Sequence, residues 1–155
     1  MVKLIKLRDE GKAHLYVPNF CMAECAKAFS REIARRTKDS EVFSDELQKL
    51  REVLLETVSR AKKGIIKSYN LKRPHLVGIE DVFAAEQRTD RRSEGNSLSG
   101  LDALIISMAR AHARAVGQDK VWIITADEWL ATVCNRSNGE FPRAIYVVKQ
   151  AIPDG

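Results

Sequence analysis

The stretch from Asn96 to Leu130 constrains the fold most. It reads N-S-L-S-G-L-D-A-L-I-I-S-M-A-R-A-H-A-R-A-V-G-Q-D-K-V-W-I-I-T-A-D-E-W-L. From about Ser99 to Val116, Leu104, Ile105, Met108, Ala111, His112 and Ala115 recur at helical spacing along a broad apolar face, and Gly117 is a helix terminator. Val121 to Thr125 is then a continuous apolar run, the pattern of a strand covered on both faces. A second helix starts behind it. Asp102 falls in the first turn of the first helix, and Asp127 just past the C-terminal end of the strand. In an open parallel α/β sheet that edge is where ligands bind. Two carboxylates brought there suit a hard cation, magnesium or manganese, because both ions prefer oxygen ligands. Each acid also has a structural reading: Ser99 and Asp102 fit a capping box, and Asp127 fits an N-cap. Thr125 is placed to contact a phosphate or a metal-bound water.

The rest of the chain supplies three further expected strands and their helices. Residues 2–10 read as the tail of a helix closed by Gly11, and Asp9 and Glu10 are its solvent-facing end. Leu15 to Val17 is a short strand stopped by Pro18, after which Asn19 is the expected helix cap. Met22, Cys25 or Ala26, Phe29 and Ile33 form the apolar stripe of that helix, with Glu24 off the stripe. Glu24 reads either as a carboxylate favoured by the helix dipole or as a site acid. Cys21 and Cys25, one turn apart, read as core packing rather than a zinc site. Residues 39–46 form an acidic connector, and Ser44 opens a long helix whose buried face is Leu47, Leu50, Leu54, Val58 and Ala61. His75 to Ile79 reads as a strand, followed by Glu80 and Asp81 as second-choice site acids, with an N-cap role for Asp81. Residues 88–97 read as an exposed polar loop, and Ala144 to Val148 as the last strand. Asn135-Arg136-Ser137 matches a glycosylation sequon, although nothing else points to secretion.

Strands alternating with helices predict a mainly parallel sheet between helical layers, and 155 residues predict one domain, 1–155. A net charge of +5 favours an anionic partner, nucleic acid first. The segment Arg60 to Arg73 concentrates that charge: Arg60, Lys62, Lys63, Lys67, Lys72 and Arg73 are six basic residues with no acid among them, and Tyr69 lies within the run. Arg88, Arg91 and Arg92 extend the same surface, with loop solubility as the rival reading. Three cysteines without C-x-x-C fit a reducing cytoplasm, and no apolar run reaches membrane-spanning length. The N-terminus carries no signal-peptide core.

The segments L-S-G-L-D-A-L-I-I-S-M-A and V-W-I-I-T-A-D-E-W-L resemble the third and fourth acidic motifs of PIN-domain nucleases, and L-Y-V-P-N-F-C-M-A-E-C-A-K-A-F resembles the second, with Glu24 as its acid. The order of the three is the family's, and together they span most of the chain. The resemblance implies a three-layer α/β/α sandwich with a mainly parallel sheet. It also implies that Glu24, Asp102 and Asp127 hold one or two Mg2+ or Mn2+ ions, with Thr125 assisting, for hydrolysis of RNA. Proteins of this kind are often toxins paired with an antitoxin, and others process ribosomal or messenger RNA. One element departs from the pattern: no strand ending in Asp precedes Leu15. A PIN-like chain truncated in this way is expected to bind metal weakly and to have impaired or no activity. It is also expected to leave Leu15–Val17 and Val121–Thr125 each short of a neighbour, and so to self-associate. Two alternatives stay open. One is a non-catalytic PIN-like RNA-binding module. The other is a small nucleotide-binding α/β domain, since Gly95 to Gly100 has the P-loop glycine spacing, but Leu101 and Asp102 stand where Lys and Ser/Thr are required.

Overall fold

The computed structural model describes residues 2–38, 40–62, 66–89 and 97–147, and side chains for all of these except 2, 3, 40, 57, 58 and 60–62. The chain divides into two units, Met1–Asn70 and Leu71–Asp154. Both are mixed α/β, and each contains one parallel pair of strands.

In the second unit the helix–strand–helix of the opening motif is present. Helix α6 (Gly100–Val116) starts at a reciprocal cap: Ser99 Oγ accepts from the Asp102 N–H at 3.2 Å, and Asp102 Oδ2 accepts from the Ser99 N–H at 2.9 Å. It ends at Gly117, whose φ of 114° a side chain rarely tolerates. A 3-10 turn, Gln118–Lys120, leads into β3 (Trp122–Thr125), then α7 (Glu128–Arg136) and β4 (Arg143–Tyr146). Strands β3 and β4 run parallel with Ile123 opposite Ala144 and Ile124 opposite Ile145. Ile123, Ala144, Ile106, Val82, Leu130, Val133 and Phe141 form the core. Full burial of a side chain of this kind stabilises by roughly 1.5–3 kcal/mol relative to exposure.

Three expectations are corrected here. Of the expected face of α6, Met108 is buried, Leu104, Ile105, Ala111 and His112 are half-buried and Ala115 is exposed; the fully buried residues also include Ala103, Ile106, Ser107 and Ala113. Ser107 goes inward because its hydroxyl donates to the His75 carbonyl at 2.6 Å. Strand β3 is not covered on both faces. Ile123 is buried, whereas Trp122 and Ile124 are 43% and 37% exposed. Residues 75–79 are not a strand. They span helix α4 (Arg73–Val77), Gly78, and the start of α5 (Ile79–Arg88). Pro74 sits in the first turn of α4, where its fixed φ and missing N–H cost nothing, and His75 Nδ1 accepts from the Lys72 N–H at 3.0 Å. Glu80 and Asp81 therefore lie in the first turn of a helix rather than at a strand end, with Gly78 and not Asp81 as the N-cap, and Asp81 pairs with Arg110. Gly78 is needed at that junction: a Cβ there would stand 2.3 Å from Ser107 Oγ.

Burial lowers the basicity of His75 from its ordinary value, and the nearby Lys72 charge adds to this. The unfolded chain then takes up the proton more readily than the folded one. Stability contributed by neutral His75 is complete above the unfolded value of about 6.5 and is lost as pH falls through it. Comparing urea midpoints at about pH 7.5 and about pH 5.5 should show a smaller acid loss in His75→Asn, which keeps an acceptor without the titrating ring. An equal loss in both chains would assign the acid sensitivity elsewhere.

The first unit comprises α1 (Val2–Asp9), β1 (Tyr16–Pro18), α2 (Asn19–Arg36), α3 (Ser40–Lys62) and β2 (Lys67–Tyr69). Helix α1 ends at Gly11, with φ at 71°, as expected of a terminator. Asn19 does not cap α2. Pro18 takes the extended flanking position and Asn19 is already the first helical residue, without a side-chain cap bond. Helix α3 begins at Ser40 rather than Ser44, so most of the acidic connector is helical, and Glu41 in its first turn suits the helix dipole. Leu47, Leu50 and Leu54 are half-buried on α3; the side chains of Val58 and Ala61 lie outside the described residues. Phe29 is 56% exposed and Cys25 is also exposed, so the expected packing of α2 is only partly made. Among the described residues of this unit, none is fully buried.

Candidate functional site

The α6–β3 connection determines where the two acids end up. A helix climbing about 1.5 Å per residue rises roughly 21 Å from Val116 back to Asp102, and extended chain at about 3.3 Å per residue covers roughly 20 Å from Val121 to Asp127. The two arms of the hairpin thus return to similar heights. A single atom joins them there. Glu86 Oε1 accepts from the Leu98 N–H at 2.7 Å and from the Trp129 indole N–H at 2.8 Å. Leu98 directly precedes the Ser99 cap of α6, and Trp129 is the second residue of α7. The two donors are therefore no farther apart than these bond lengths together, and the starts of the helices carrying Asp102 and Asp127 are clamped to one buried carboxylate.

Sequence reasoning missed Glu86, although a signal was present. Val82, Ala85 and Glu86 occupy one helical stripe of α5, and all three are buried. An acid at the i+4 position of an apolar stripe must point inward and find donors. Two charge-assisted hydrogen bonds offset the desolvation of this carboxylate.

The two candidate ligands are themselves organised by the helix ends. Asp102, half-buried, uses Oδ2 to accept from the Ser99 N–H and from the Ser99 hydroxyl, the latter at 2.6 Å. Asp127, exposed, uses Oδ1 to accept from the Leu130 N–H at 2.9 Å, the expected N-cap. Among the described residues, Asp102 Oδ1 and Asp127 Oδ2 accept no further hydrogen bond. Thr125 Oγ1 accepts from the Asp127 N–H at 3.0 Å, which fixes the chain between strand and cap. The caps contribute on their own. Asp102→Ala and Asp127→Ala should each cost about 1 kcal/mol of stability in metal-free buffer, read by urea denaturation, whereas Asn at either position should cost less because it keeps an acceptor. A gain in stability from either alanine would mean that charge repulsion outweighs capping.

Glu24 lies in the first unit, on α2. Its side chain is 48% exposed and stands 3.8 Å from Lys27 Nζ. Ahead of β1, Asp9 is paired with the neighbouring Arg8. Among the described residues, no three His, Cys, Asp or Glu side chains are gathered as a metal group. The structure links the elements that carry Asp102 and Asp127, and places Glu24 on the surface of its own unit.

The basic run is divided among several elements. Arg60 and Lys62 belong to the last turn of α3, with side chains outside the described residues. Lys67 is in β2, Lys72 precedes α4 and Arg73 begins it. Lys63, Arg91 and Arg92 lie outside the described residues, as does Gly95 of the glycine pair. Arg88 is the C-terminal residue of α5 and is paired with Glu140 at 2.7 Å, which partly neutralises it as a phosphate contact. Asn135 of the sequon has a structural job. Its carboxamide donates to the Ala144 carbonyl and accepts from the Ala144 N–H, both at 2.9 Å, and so closes the outer edge of β4. No helix among the described residues is long and apolar enough to cross a membrane. No family model matches the chain, and no curated protein or solved structure matches it.

Proposed function

We propose that this chain is a metal-dependent endoribonuclease of PIN type. The observation that carries the reading is the Glu86 clamp, which holds the helix starts bearing Asp102 and Asp127 together beyond the C-terminal end of β3. The donor set fits Mg2+ or Mn2+. Each acid offers a carboxylate oxygen not engaged by its cap, and such ions are commonly held by one or two carboxylates with water completing the shell. Bound there, such an ion would supply an activated water and offset charge on the scissile phosphate. Asp102 and Asp127 would hold the ion in this reading. Thr125 fixes the turn that presents Asp127, while Lys67, Lys72 and Arg73 hold the RNA backbone. The three-layer α/β/α sandwich belongs to the same proposal. It is supported by parallel pairing in both units and by the closed outer edge of β4, which marks β4 as an edge strand.

A second reading is favoured by one observation. The segment before β1 is a helix, and its acid Asp9 is paired with Arg8. A helix there, with its acid held in an ion pair, suits an RNA-binding module that does not cut. Incubating the chain with end-labelled single-stranded and structured RNA, in Mn2+ or in EDTA, separates the two. The nuclease predicts cleavage that needs metal and disappears in Asp102→Asn and Asp127→Asn, with RNA binding retained. Binding without cleavage would establish the module, and cleavage that persists in EDTA would remove the metal mechanism.

A further inference from the structure

In the parallel register of β1 and β2, Tyr16 pairs with Lys67, Val17 with Ser68, and Pro18 with Tyr69. Successive strand residues alternate faces, so Tyr16, Pro18, Lys67 and Tyr69 share one face, and Val17 and Ser68 take the other. The Tyr16 and Tyr69 rings meet edge to face, with centroids 6.1 Å apart and planes at 79°. Lys67 Nζ lies 5.6 Å from the centre of the Tyr16 ring. Tyr16 is 39% exposed. Burial pushes the Tyr69 phenol up from its ordinary value, and Tyr16 adds to the shift, so the ring is uncharged at neutral pH and does not repel a phosphate. One small face thus combines an exposed aromatic ring, a second ring set across it and an ammonium held loosely over the first.

We propose that this face is a base-stacking platform for single-stranded RNA, with a nucleobase on Tyr16 and Lys67 on the adjoining phosphate. Charge selects the occupant. Lys67 puts a cation on the face itself, in a chain of net charge +5, and a polyanion complements both. The chemistry also favours exchange. A cation over an exposed ring is worth less than a base stacked on it, so an arriving base can displace the ammonium, which then reaches the backbone phosphate. Every base has a π-face, so the platform tolerates any sequence and supplies grip rather than specificity. This inference rests on RNA being the partner, but not on cleavage.

The test is equilibrium binding of a fluorescently labelled oligouridylate to the full chain in EDTA, across a range of salt. Tyr16→Ala should weaken binding about tenfold with little change in the salt slope, and Tyr16→Phe should bind like the parent. Tyr16→Leu, which keeps apolar packing without a ring, should behave like Tyr16→Ala and guards against misfolding. Lys67→Gln should reduce the log–log salt slope by roughly 0.7. Parent-like affinity in Tyr16→Leu would overturn the proposal, as would failure of the parent chain to bind the oligonucleotide. Ring-dependent binding in a chain that never cleaves RNA would support the platform while removing the nuclease.

Discussion

Glu86→Ala is expected to destabilise the second unit by about 3 kcal/mol, because it strands one buried and one part-buried donor at once, each costing roughly 1–3 kcal/mol if left unsatisfied out of reach of water. The donors are the Leu98 N–H and the Trp129 indole N–H, which now share one carboxylate oxygen. Glu86→Gln keeps an acceptor of the same shape and should cost only about 1 kcal/mol, the difference between a charged and a neutral acceptor. The chain has two tryptophans, Trp122 and Trp129, and both lie in this unit. Urea unfolding followed by tryptophan fluorescence therefore reports on it selectively. Equal midpoints for the Ala and Gln variants would mean that the clamp does not hold the two helix starts.

The second large effect is a difference between units. Amides in the middle of α2 and α3 should exchange with solvent at least about a hundredfold faster than those of α6 and β3, since local opening costs little where few apolar contacts must break. The cause is burial. The second unit encloses Val82, Ile106, Leu130, Val133 and Phe141, whereas the described residues of the first unit include no fully buried side chain. Surface ion pairs do not compensate. Glu32 is bonded by Arg35 and Arg36, which hold its carboxyl down at about 2, but both arginines are largely exposed to solvent and such pairs contribute little. Hydrogen exchange followed by mass spectrometry gives the comparison directly. Equal protection in both units would show that the α2–α3 faces are covered in solution.

What was legible in the sequence was local. The Ser99–Asp102 cap, the Asp127 cap and the Gly11 and Gly117 terminators each depend on residues a few positions apart, and each is present as read; strand β3 is present, but with one face exposed rather than both covered. What was not legible depends on partners distant in sequence. Residues 75–79 are apolar enough for a strand, yet Pro74 and His75 start a helix, and Ser107 docks on its carbonyl from 32 positions away. Strand β2 is three residues inside a basic run, with no apolar alternation, and exists because β1 lies beside it. Ser107 joins the buried residues of α6 because a serine satisfied by a distant carbonyl is as buriable as an isoleucine. Of the candidate site, the two capping acids could be read from local spacing; the inward position of Glu86 is signalled by its stripe on α5, but its donors are not, because they lie 12 and 43 positions along the chain.

The proposed site has Asp102 and Asp127 holding a divalent cation. The direct measurement is a titration of substoichiometric Mn2+ into the isotope-labelled chain, with paramagnetic broadening read residue by residue in metal-free buffer. The amides of Asp102, Thr125 and Asp127 are expected to broaden first and together, and Asp102→Asn or Asp127→Asn to remove the effect while the other resonances stay in place. Broadening that begins instead at the acidic start of α3, around Glu41 and Glu46, or that spreads evenly over surface carboxylates, would contradict it.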